Sequence, residues 1–234
     1  HNYEDVAHKD IREGDWVFLK RAGDVIPAIV APIPSRRTGR EKKIVPPKTC
    51  PVCRSPVIRI LEKTDRFCVS SDCPAQGVDR LIHFVSRNAL DIDHLSTKRI
   101  QLLHDKGLLK RLSDLFTLTQ KALESLDGFG EKSSQNILES IQAAKQRPLH
   151  RLIFGLGIPG VGEETSKLLA NHFGSLEKIQ TASGENLDEI EGIGSEIANS
   201  IRSYFDHAQN QREIQRLWDV GVRPQAPQRS HNTH

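Results

Sequence analysis

A short glycine-containing segment recurs three times in this chain at a constant interval, and this repeat constrains the fold more than any other feature. The first glycines of the copies are Gly128, Gly160 and Gly192, so the interval is 32 residues. Each copy reads glycine, apolar residue, glycine, and a segment with helical spacing of apolar residues follows it. A fixed period of this size is typical of one repeated supersecondary unit. We therefore expect helices joined by glycine hairpins.

The residue types in these hairpins indicate phosphate binding. Glycine permits unusual backbone torsions and carries no Cβ, and the apolar residue between the glycines is expected to anchor the hairpin in the core. The first amides of the next helix then stay free to bind a phosphate oxygen, whatever the base sequence. This is the helix-hairpin-helix motif, with a purely structural repeat as the alternative. The predicted DNA-binding residues are Gly128, Phe129, Gly130, Lys132, Gly160, Val161, Gly162, Gly192, Ile193 and Gly194.

The copies differ in the charge that follows them. Lys132 follows the first hairpin closely, whereas Glu163 and Glu164 follow the second and would repel a phosphate. We therefore rank the 128–132 hairpin first. A fourth, degenerate copy precedes these three, with His94 and Ser96 at the glycine positions. We interpret His94 as a partly exposed turn residue, and we expect the four copies to pack in pairs as two four-helix units.

Four cysteines lie within 24 positions in the spacing C-x2-C-x14-C-x4-C. Two closely spaced thiolate pairs on facing turns suit a closed, tetrahedral structural zinc site. The alternatives are two disulfides or unrelated thiols, but no export signal is recognisable in the sequence. The predicted ligands are Cys50, Cys53, Cys68 and Cys73. Nearby Arg54, Arg59, Lys63 and Arg66 are interpreted as solvated, with phosphate contact as the alternative.

The first 33 residues are predicted to be β, with strands at about 15–21 and 25–33 joined by a turn at 22–24. Pro27 marks the second strand as an edge or a bulge. Two strands do not form a stable unit alone, so we interpret this segment as part of a small barrel. The connector 34–48 is basic and is either a solvated loop or a loop that touches phosphates.

Composition and charge agree with several modules and a polyanionic partner. Only 37% of the residues are hydrophobic, which favours small cores over one large one. The net charge of +3 is unevenly distributed, since residues 153–222 carry −6 and the preceding segments are all positive. Phosphate attraction is thus expected mainly before residue 153. No run of eighteen apolar residues occurs, so no membrane partner is expected. The chain begins with His1 and has no Met, and we interpret it as part of a longer protein.

A β segment, a zinc module and tandem helix-hairpin-helix motifs in this order resemble the bacterial NAD-dependent DNA ligases. The resemblance extends from residue 1 to about residue 224, and the segment 21–27 is similar to the oligonucleotide-binding (OB) barrel of that family. The other specific segments are 1–2, 9–15, 50–53, 73–76 and 172–175. Enzymes of this family transfer AMP from NAD to a lysine and then to a 5′-phosphate, and finally join the nick.

The resemblance implies a mainly α, multi-domain chain that binds duplex DNA, nicked duplex in particular, as a monomer in the bacterial cytoplasm. The expected division is 1–48 partial OB-fold and basic connector, 49–78 four-cysteine zinc finger, 79–150 first helix-hairpin-helix pair, 151–222 second pair, and 223–234 linker or disordered tail. Lys20 and Arg21 complete the predicted DNA-binding set. Zinc is the structural cofactor, while NAD and magnesium belong to the whole enzyme.

No catalytic residue is predicted here, because the adenylation motif Lys-x-Asp-Gly does not occur in the sequence. The chain is therefore expected to be inactive by itself. A stand-alone zinc and hairpin DNA-binding module for repair is the alternative, although such a module would not be expected to begin with two isolated strands. A subunit of an excision nuclease is a third possibility, which would need a carboxylate metal cluster that the sequence does not indicate.

Overall fold

The computed structural model of the chain describes residues 2–22, 26–59 and 66–227. Four features predicted from sequence lie outside these residues in whole or in part. They are His1, the middle of the 21–27 segment with its turn, the Lys63 side chain and the end of the predicted tail (228–234).

The N-terminal part combines one short helix with small antiparallel β pairs. Its elements are α1 Tyr3–His8, β1 Arg12–Glu13, β2 Val17–Ala22, β3 Ile26–Pro32 and β4 Lys42–Lys43. Strand β2 pairs with β3, with an irregularity between Phe18 and Leu19, and β1 pairs with β4. The prediction of β structure is confirmed for β2 and β3 but is wrong for α1. There, the Asn2 side chain accepts hydrogen bonds from two first-turn amides and starts a helix.

This N-terminal part has no apolar core of its own. No apolar side chain is buried among the described residues before Cys50. Trp16, Phe18 and Leu19 are each about three-fifths exposed, at 61%, 58% and 63%. Such exposure agrees with the interpretation of the segment as part of a larger barrel.

The basic connector is more structured than predicted, because Arg37 is held by two carboxylates. Its Nε and Nη2 donate to Asp15 at 2.7 and 2.8 Å, and its Nη1 donates to Asp10 at 2.7 Å. Hydrogen bonds from Arg12 and Arg37 lower the pKa of Asp10 to about 2. Arg36 lies over the Trp16 ring at 4.8 Å. Arg37 is therefore a structural cation and not a free phosphate ligand.

The cysteine module consists of β5 Val57–Arg59, β6 Arg66–Cys68 and a 3-10 turn at Pro74–Gln76. Two of its arginines contact α1. Arg59 forms an ion pair with Glu4 at 2.6 Å, and Arg66 lies 5.8 Å from the centre of the Tyr3 ring. The prediction of solvated arginines is thus wrong for these two, whose partners come from a helix that the sequence did not indicate.

The rest of the described chain is helical, as the spacing of apolar residues predicted. The helices are α2 Gly77–Val85, α3 Thr97–Asp105, α4 Gln120–Glu124, α5 Glu131–Ala144, α6 Leu149–Gly155, α7 Glu163–Phe173, α8 Leu176–Thr181, α9 Gly184–Asp188, α10 Ser195–Asp206 and α11 Ala208–Asp219, with a 3-10 helix at Ser113–Thr117. Their buried apolar side chains, from Leu81 to Val222, form one continuous cluster. The two helix-hairpin-helix pairs, expected to meet at residues 150 and 151, therefore share one apolar core.

Helix α11 lies near the end of the expected second pair and contacts the 3-10 helix at Ser113–Thr117 in the first. Its buried Glu213 accepts a hydrogen bond from the Ser113 amide at 2.7 Å and pairs with Arg216 at 3.0 Å. The following residues, expected to be a linker or disordered, instead form backbone hydrogen bonds. The amides of Arg223 and Gln225 donate to the carbonyls of Lys145 and Arg147 at 2.7 and 3.1 Å. The segment 223–225 therefore runs along the connection between α5 and α6.

Candidate nucleic-acid interface and metal centre

All four hairpins have a positive φ angle at their first position. The φ angles of Gly128, Gly160 and Gly192 are +85°, +82° and +93°, and the φ angle of His94 is +66°. Positive φ is accessible to glycine and costs free energy for other residues. The interpretation of 92–96 as a degenerate hairpin therefore agrees with its backbone, and His94 is an exposed turn residue as predicted.

The central apolar residue of each hairpin is buried. Phe129, Val161 and Ile193 are 4%, 7% and 3% exposed, and Leu95 occupies the same place in the degenerate hairpin. Each anchors its hairpin in the shared core, as the sequence predicted. These side chains thus fix the hairpin backbone and do not face a ligand themselves.

The second glycines begin helices whose first amides have no side-chain cap. Gly130, Gly162 and Gly194 are the N-caps of α5, α7 and α10, and within the described part of the chain these N-cap positions supply no side-chain cap. In contrast, the N-cap of α3, α4, α8 and α9 is a Ser or Thr whose hydroxyl accepts a hydrogen bond from an amide of the first turn. Uncapped amides at a helix N-terminus are suited to an anionic ligand.

The fold itself does not require glycine at these second positions. Their φ angles are −80°, −86° and −85°, which any residue adopts. A Cβ built at Gly130, Gly162 or Gly194 meets no atom within 4 Å. A methyl group would therefore fit the protein at all three positions.

The degenerate hairpin differs from the others at this point. Ser96 stands at the second position, and its hydroxyl accepts a hydrogen bond from the Arg99 amide at 3.4 Å. This side chain takes the place that a ligand oxygen would occupy. Residues 92–96 therefore have the positive φ angle of the other hairpins, but the helix that follows them has a side-chain cap at its N-terminus.

Charges beside the hairpins are distributed as the sequence indicated. Lys132 is exposed in the first turn of α5. Glu163 and Glu164 begin α7, and each carboxylate contacts another side chain. Asn88 donates to Glu163 at 2.5 Å, and Lys167 pairs with Glu164 at 2.7 Å, which raises the pKa of Lys167. The first turn of α5 carries Lys132 beside Glu131, whereas the first turn of α7 carries two carboxylates, so that of α5 is the more favourable of the two for a phosphate.

The remaining predicted DNA ligands, Lys20 and Arg21, lie on β2 of the N-terminal part, where both are exposed. They belong to a different structural unit from the hairpins. Among the described residues, no hydrogen bond or ion pair joins them to the helical part, so both side chains remain accessible.

The structure brings the four cysteines together as predicted. Their Sγ atoms all lie within 4.8 Å of one another, with 3.9 Å between Cys50 and Cys73 and 3.4 Å between Cys53 and Cys68. A tetrahedral zinc ion with Zn–S bonds of about 2.3 Å requires S–S separations of roughly 3.8 Å. The four thiols therefore fit a structural zinc ion and leave no position for a further ligand.

Zinc binding to two of these thiols must displace their protons. Burial raises the pKa of Cys68 and of Cys73. Without a metal, these two sulfurs would be protonated at neutral pH. A divalent cation stabilises the thiolate form and links zinc binding to folding of the module.

One interacting residue was not found from the sequence. Arg99 bridges the degenerate hairpin and the 128–130 hairpin through hydrogen bonds to two backbone carbonyls. Its partners lie 5 and 29 positions away, and no local pattern of residue types indicates such a contact.

Comparison with known proteins identifies two of the modules by family. The family model for the NAD-dependent DNA ligase OB-fold domain matches residues 1–41, and the model for the NAD-dependent DNA ligase C4 zinc finger domain matches residues 49–75. The chain belongs to the NAD-dependent DNA ligase family. A general helix-hairpin-helix model matches residues 151–214, which include the hairpins at Gly160 and Gly192.

Individual ligases are similar over nearly the whole chain. The DNA ligase of Geobacter sulfurreducens is 43% identical over 229 residues, which are 98% of this chain and 34% of the relative. The DNA ligase of Thermotoga neapolitana is 48% identical over 225 residues, or 95% of this chain and 32% of the relative. The chain thus spans about a third of the length of these ligases. This membership does not favour the stand-alone repair module.

No helix among the described residues combines the length and apolarity needed to cross a membrane.

Proposed function

We propose that this chain is the DNA-binding region of an NAD-dependent DNA ligase and that it holds duplex DNA around a nick through backbone phosphates. One observation carries the proposal. Gly130, Gly162 and Gly194 have ordinary backbone torsions and open space where a Cβ would stand. Glycine at these positions is explained by the close approach of a ligand to the uncapped amides, and not by the needs of the fold.

The hairpins contribute unequally in this proposal. The 128–130 hairpin binds most strongly because the exposed Lys132 adds a positive charge to its amides. The hairpins at Gly160 and Gly192 lie in the acidic segment and bind through amides only. Such contacts do not distinguish bases, which suits an enzyme that must act at any nick.

The other two modules support this interface. Zinc on the four cysteines has a structural role, since it holds a segment too short to bury a core of its own. Lys20 and Arg21 offer two exposed cations on β2, and in this proposal they contact the same duplex as the hairpins.

The chemistry of the whole enzyme is the transfer of AMP from NAD to a lysine and to the 5′-phosphate of a nick, with magnesium, followed by joining of the strands. This chain lacks the Lys-x-Asp-Gly motif of that reaction and is inactive alone. Because relatives over 95–98% of the chain are bacterial DNA ligases, we place its action on DNA in the bacterial cytoplasm, as a monomer.

A fluorescence-anisotropy titration with a labelled nicked duplex tests the DNA-binding role. Gly130→Ala, Gly162→Ala and Gly194→Ala each add a methyl group in front of the free amides. Gly130→Ala is expected to weaken binding about tenfold, and the other two less. The matched control is Gly184→Ala, since Gly184 also has open space for a Cβ but begins a helix capped by Ser183.

The same titration also compares the affinity of further variants and of nicked and intact duplex. Gly130→Pro deletes one amide at a φ of −80°, which proline tolerates. Equal affinity of wild type, Gly130→Ala and Gly130→Pro for the duplex would refute the proposed role of this hairpin. Tighter binding to nicked than to intact duplex, and a monomer in sedimentation, are expected.

Inactivity of the chain alone is tested with labelled NAD. We expect no protein-linked AMP after incubation with magnesium and nicked DNA. A labelled adduct on any lysine would contradict the assignment of the adenylation chemistry to other parts of the ligase.

A further inference from the structure

Arg99 connects the two neighbouring hairpins of the first pair. Its Nη1 donates to the carbonyl of His94 at 2.8 Å, and its Nη2 donates to the carbonyl of Gly128 at 3.0 Å. Both acceptors are the positive-φ residues of their hairpins. One guanidinium group therefore fixes the separation of two equivalent points of the repeat.

The same side chain also packs on Phe129, the buried anchor of the 128–130 hairpin. The guanidinium carbon of Arg99 lies 4.9 Å from the centre of the Phe129 ring. A planar guanidinium presents two parallel donors and a face that stacks on an aromatic ring, which a lysine ammonium does not. The contact is therefore specific for arginine, and it acts on the backbone directly before Gly130.

The degenerate hairpin is suited to a supporting role. The Ser96 hydroxyl accepts a hydrogen bond from the Arg99 amide, so this amide is not open to a ligand as it is behind a hairpin glycine. The Arg99 side chain, in contrast, is available to the neighbouring hairpin. The second pair is held differently, since buried Ser200 donates to the carbonyl of Pro159 at 2.5 Å. The bridge through Arg99 is thus a feature of the first pair, which contains the favoured phosphate site.

We propose that Arg99 is a positioning residue that holds the 128–130 hairpin in its phosphate-binding geometry, with the glycine-free hairpin 92–96 as its support. The inference rests on the proposed DNA-binding function. It assigns a role to a hairpin that has lost its own glycines, and it makes the affinity of one hairpin depend on a side chain that belongs to another.

Binding to the labelled nicked duplex gives the first test. Arg99→Ala is expected to weaken binding about tenfold, and Arg99→Lys is expected to remain weak because charge alone does not restore the bridge. Lys98→Ala is the matched control. Lys98 is exposed and adjacent, it carries the same charge, and it has no hydrogen-bond or ion-pair partner among the described residues, so its loss should change affinity about twofold or less.

A double variant separates positioning from direct contact with DNA. If Arg99 acts through the hairpin, Arg99→Ala combined with Gly130→Ala binds no more weakly than Gly130→Ala alone. The proposal would be overturned if the affinity losses of Arg99→Ala and Gly130→Ala multiply in the double variant. It would also be overturned if Arg99→Lys restores binding, or if Arg99→Ala binds as tightly as wild type. Circular dichroism confirms that the variants compared are folded.

Backbone NMR of the DNA-free chain distinguishes failure of this inference from failure of the proposed function. The amide signals of Phe129 and Gly130 should shift and exchange faster with solvent in Arg99→Ala but not in Lys98→Ala. If wild type does not bind DNA, the proposed function fails, and with it the phosphate-binding part of this inference. Unchanged signals in Arg99→Ala refute the positioning role even where wild type binds DNA.

Discussion

The side-chain oxygen of Asn210 accepts a hydrogen bond from the backbone amide of Ser71 at 2.7 Å, although 139 positions separate the two residues. The amide group of Asn210 donates to the carbonyls of Val69 and Tyr204, both at 2.8 Å. Asn210 is completely buried. Helix α11 therefore holds the loop that follows Cys68, and this contact joins the cysteine module to the helical core.

Replacement of Asn210 by alanine should lower the free energy of unfolding by about 2–4 kcal/mol, because it leaves the Ser71 amide and the Val69 carbonyl without a partner. It also removes one of the two hydrogen bonds to the Tyr204 carbonyl, which still accepts from the His207 amide. Urea denaturation followed by circular dichroism measures the change. Gln215→Ala on the same helix is the control, since the Gln215 side chain is exposed and bonds only to Asp219. Equal stability of the two variants would show that the buried contact contributes little.

Loss of zinc should destabilise the helical part as well as the cysteine module, because Asn210 links the two. We expect one zinc per chain by atomic emission and a lower melting temperature after chelation. Cys73→Ser should lose the metal and show the same lower melting temperature without a chelator. Full zinc occupancy in Cys73→Ser, or a melting temperature unchanged by chelation, would contradict the link.

Gly128→Ala should cost about 1 kcal/mol of stability, since alanine at a φ of +85° is strained even where its methyl group has room. Gly130→Ala is the matched control at a φ of −80°, and it should change stability by only a few tenths of a kcal/mol. Thermal or urea unfolding compares the two. A larger loss of stability in Gly130→Ala than in Gly128→Ala would mean that the hairpin backbone adjusts to alanine at position 128.

His94→Gly should stabilise the chain by about 0.5 kcal/mol, because a histidine at a φ of +66° is strained in the folded state. The gain is partly offset by the larger entropy of glycine in the unfolded chain. Lys98→Gly, on the exposed surface of α3, should instead destabilise. Urea denaturation is again the measurement, and a destabilised His94→Gly would show that the His94 side chain makes a stabilising contact.

The stability of the chain should fall as the pH drops below about 6.5, in part because of His207. Burial, assisted by Arg212 and Arg80 and opposed by Asp72, lowers the pKa of His207 below its ordinary value of 6.5. The neutral form is therefore favoured in the folded state. Its contribution is complete above pH 6.5 and is lost as the pH falls through the region below that value.

Urea denaturation at several pH values tests this assignment. His207→Gln should reduce the loss of stability on acidification, whereas His172→Gln, at an exposed position, should not. Because wild type and variants contain the same cysteines, the pH dependence of zinc binding cancels in the comparison. Identical pH profiles of wild type and His207→Gln would exclude His207 as the titrating group.

The repeat and the cysteine cluster could be predicted from the sequence because their geometry is local. A hairpin with Gly128, Phe129 and Gly130 obtains its positive φ, its buried anchor and its open amides within three positions. Likewise, the cysteine spacing brings two thiol pairs to one site through short turns. The resemblance of the β segment and the cysteine module to NAD-dependent DNA ligases then identified the family.

Only the tertiary structure decided which polar side chains join the modules. Asn210, Arg99 and Arg37 bond to groups 139, 29 and 27 positions away, respectively. The sequence shows each of them as one polar residue among many. Whether such a side chain is solvated, pairs with a carboxylate or holds a backbone carbonyl depends on which elements pack beside it. The sequence alone therefore determined the hairpins and the cysteine ligands, while packing determined how they are held in place.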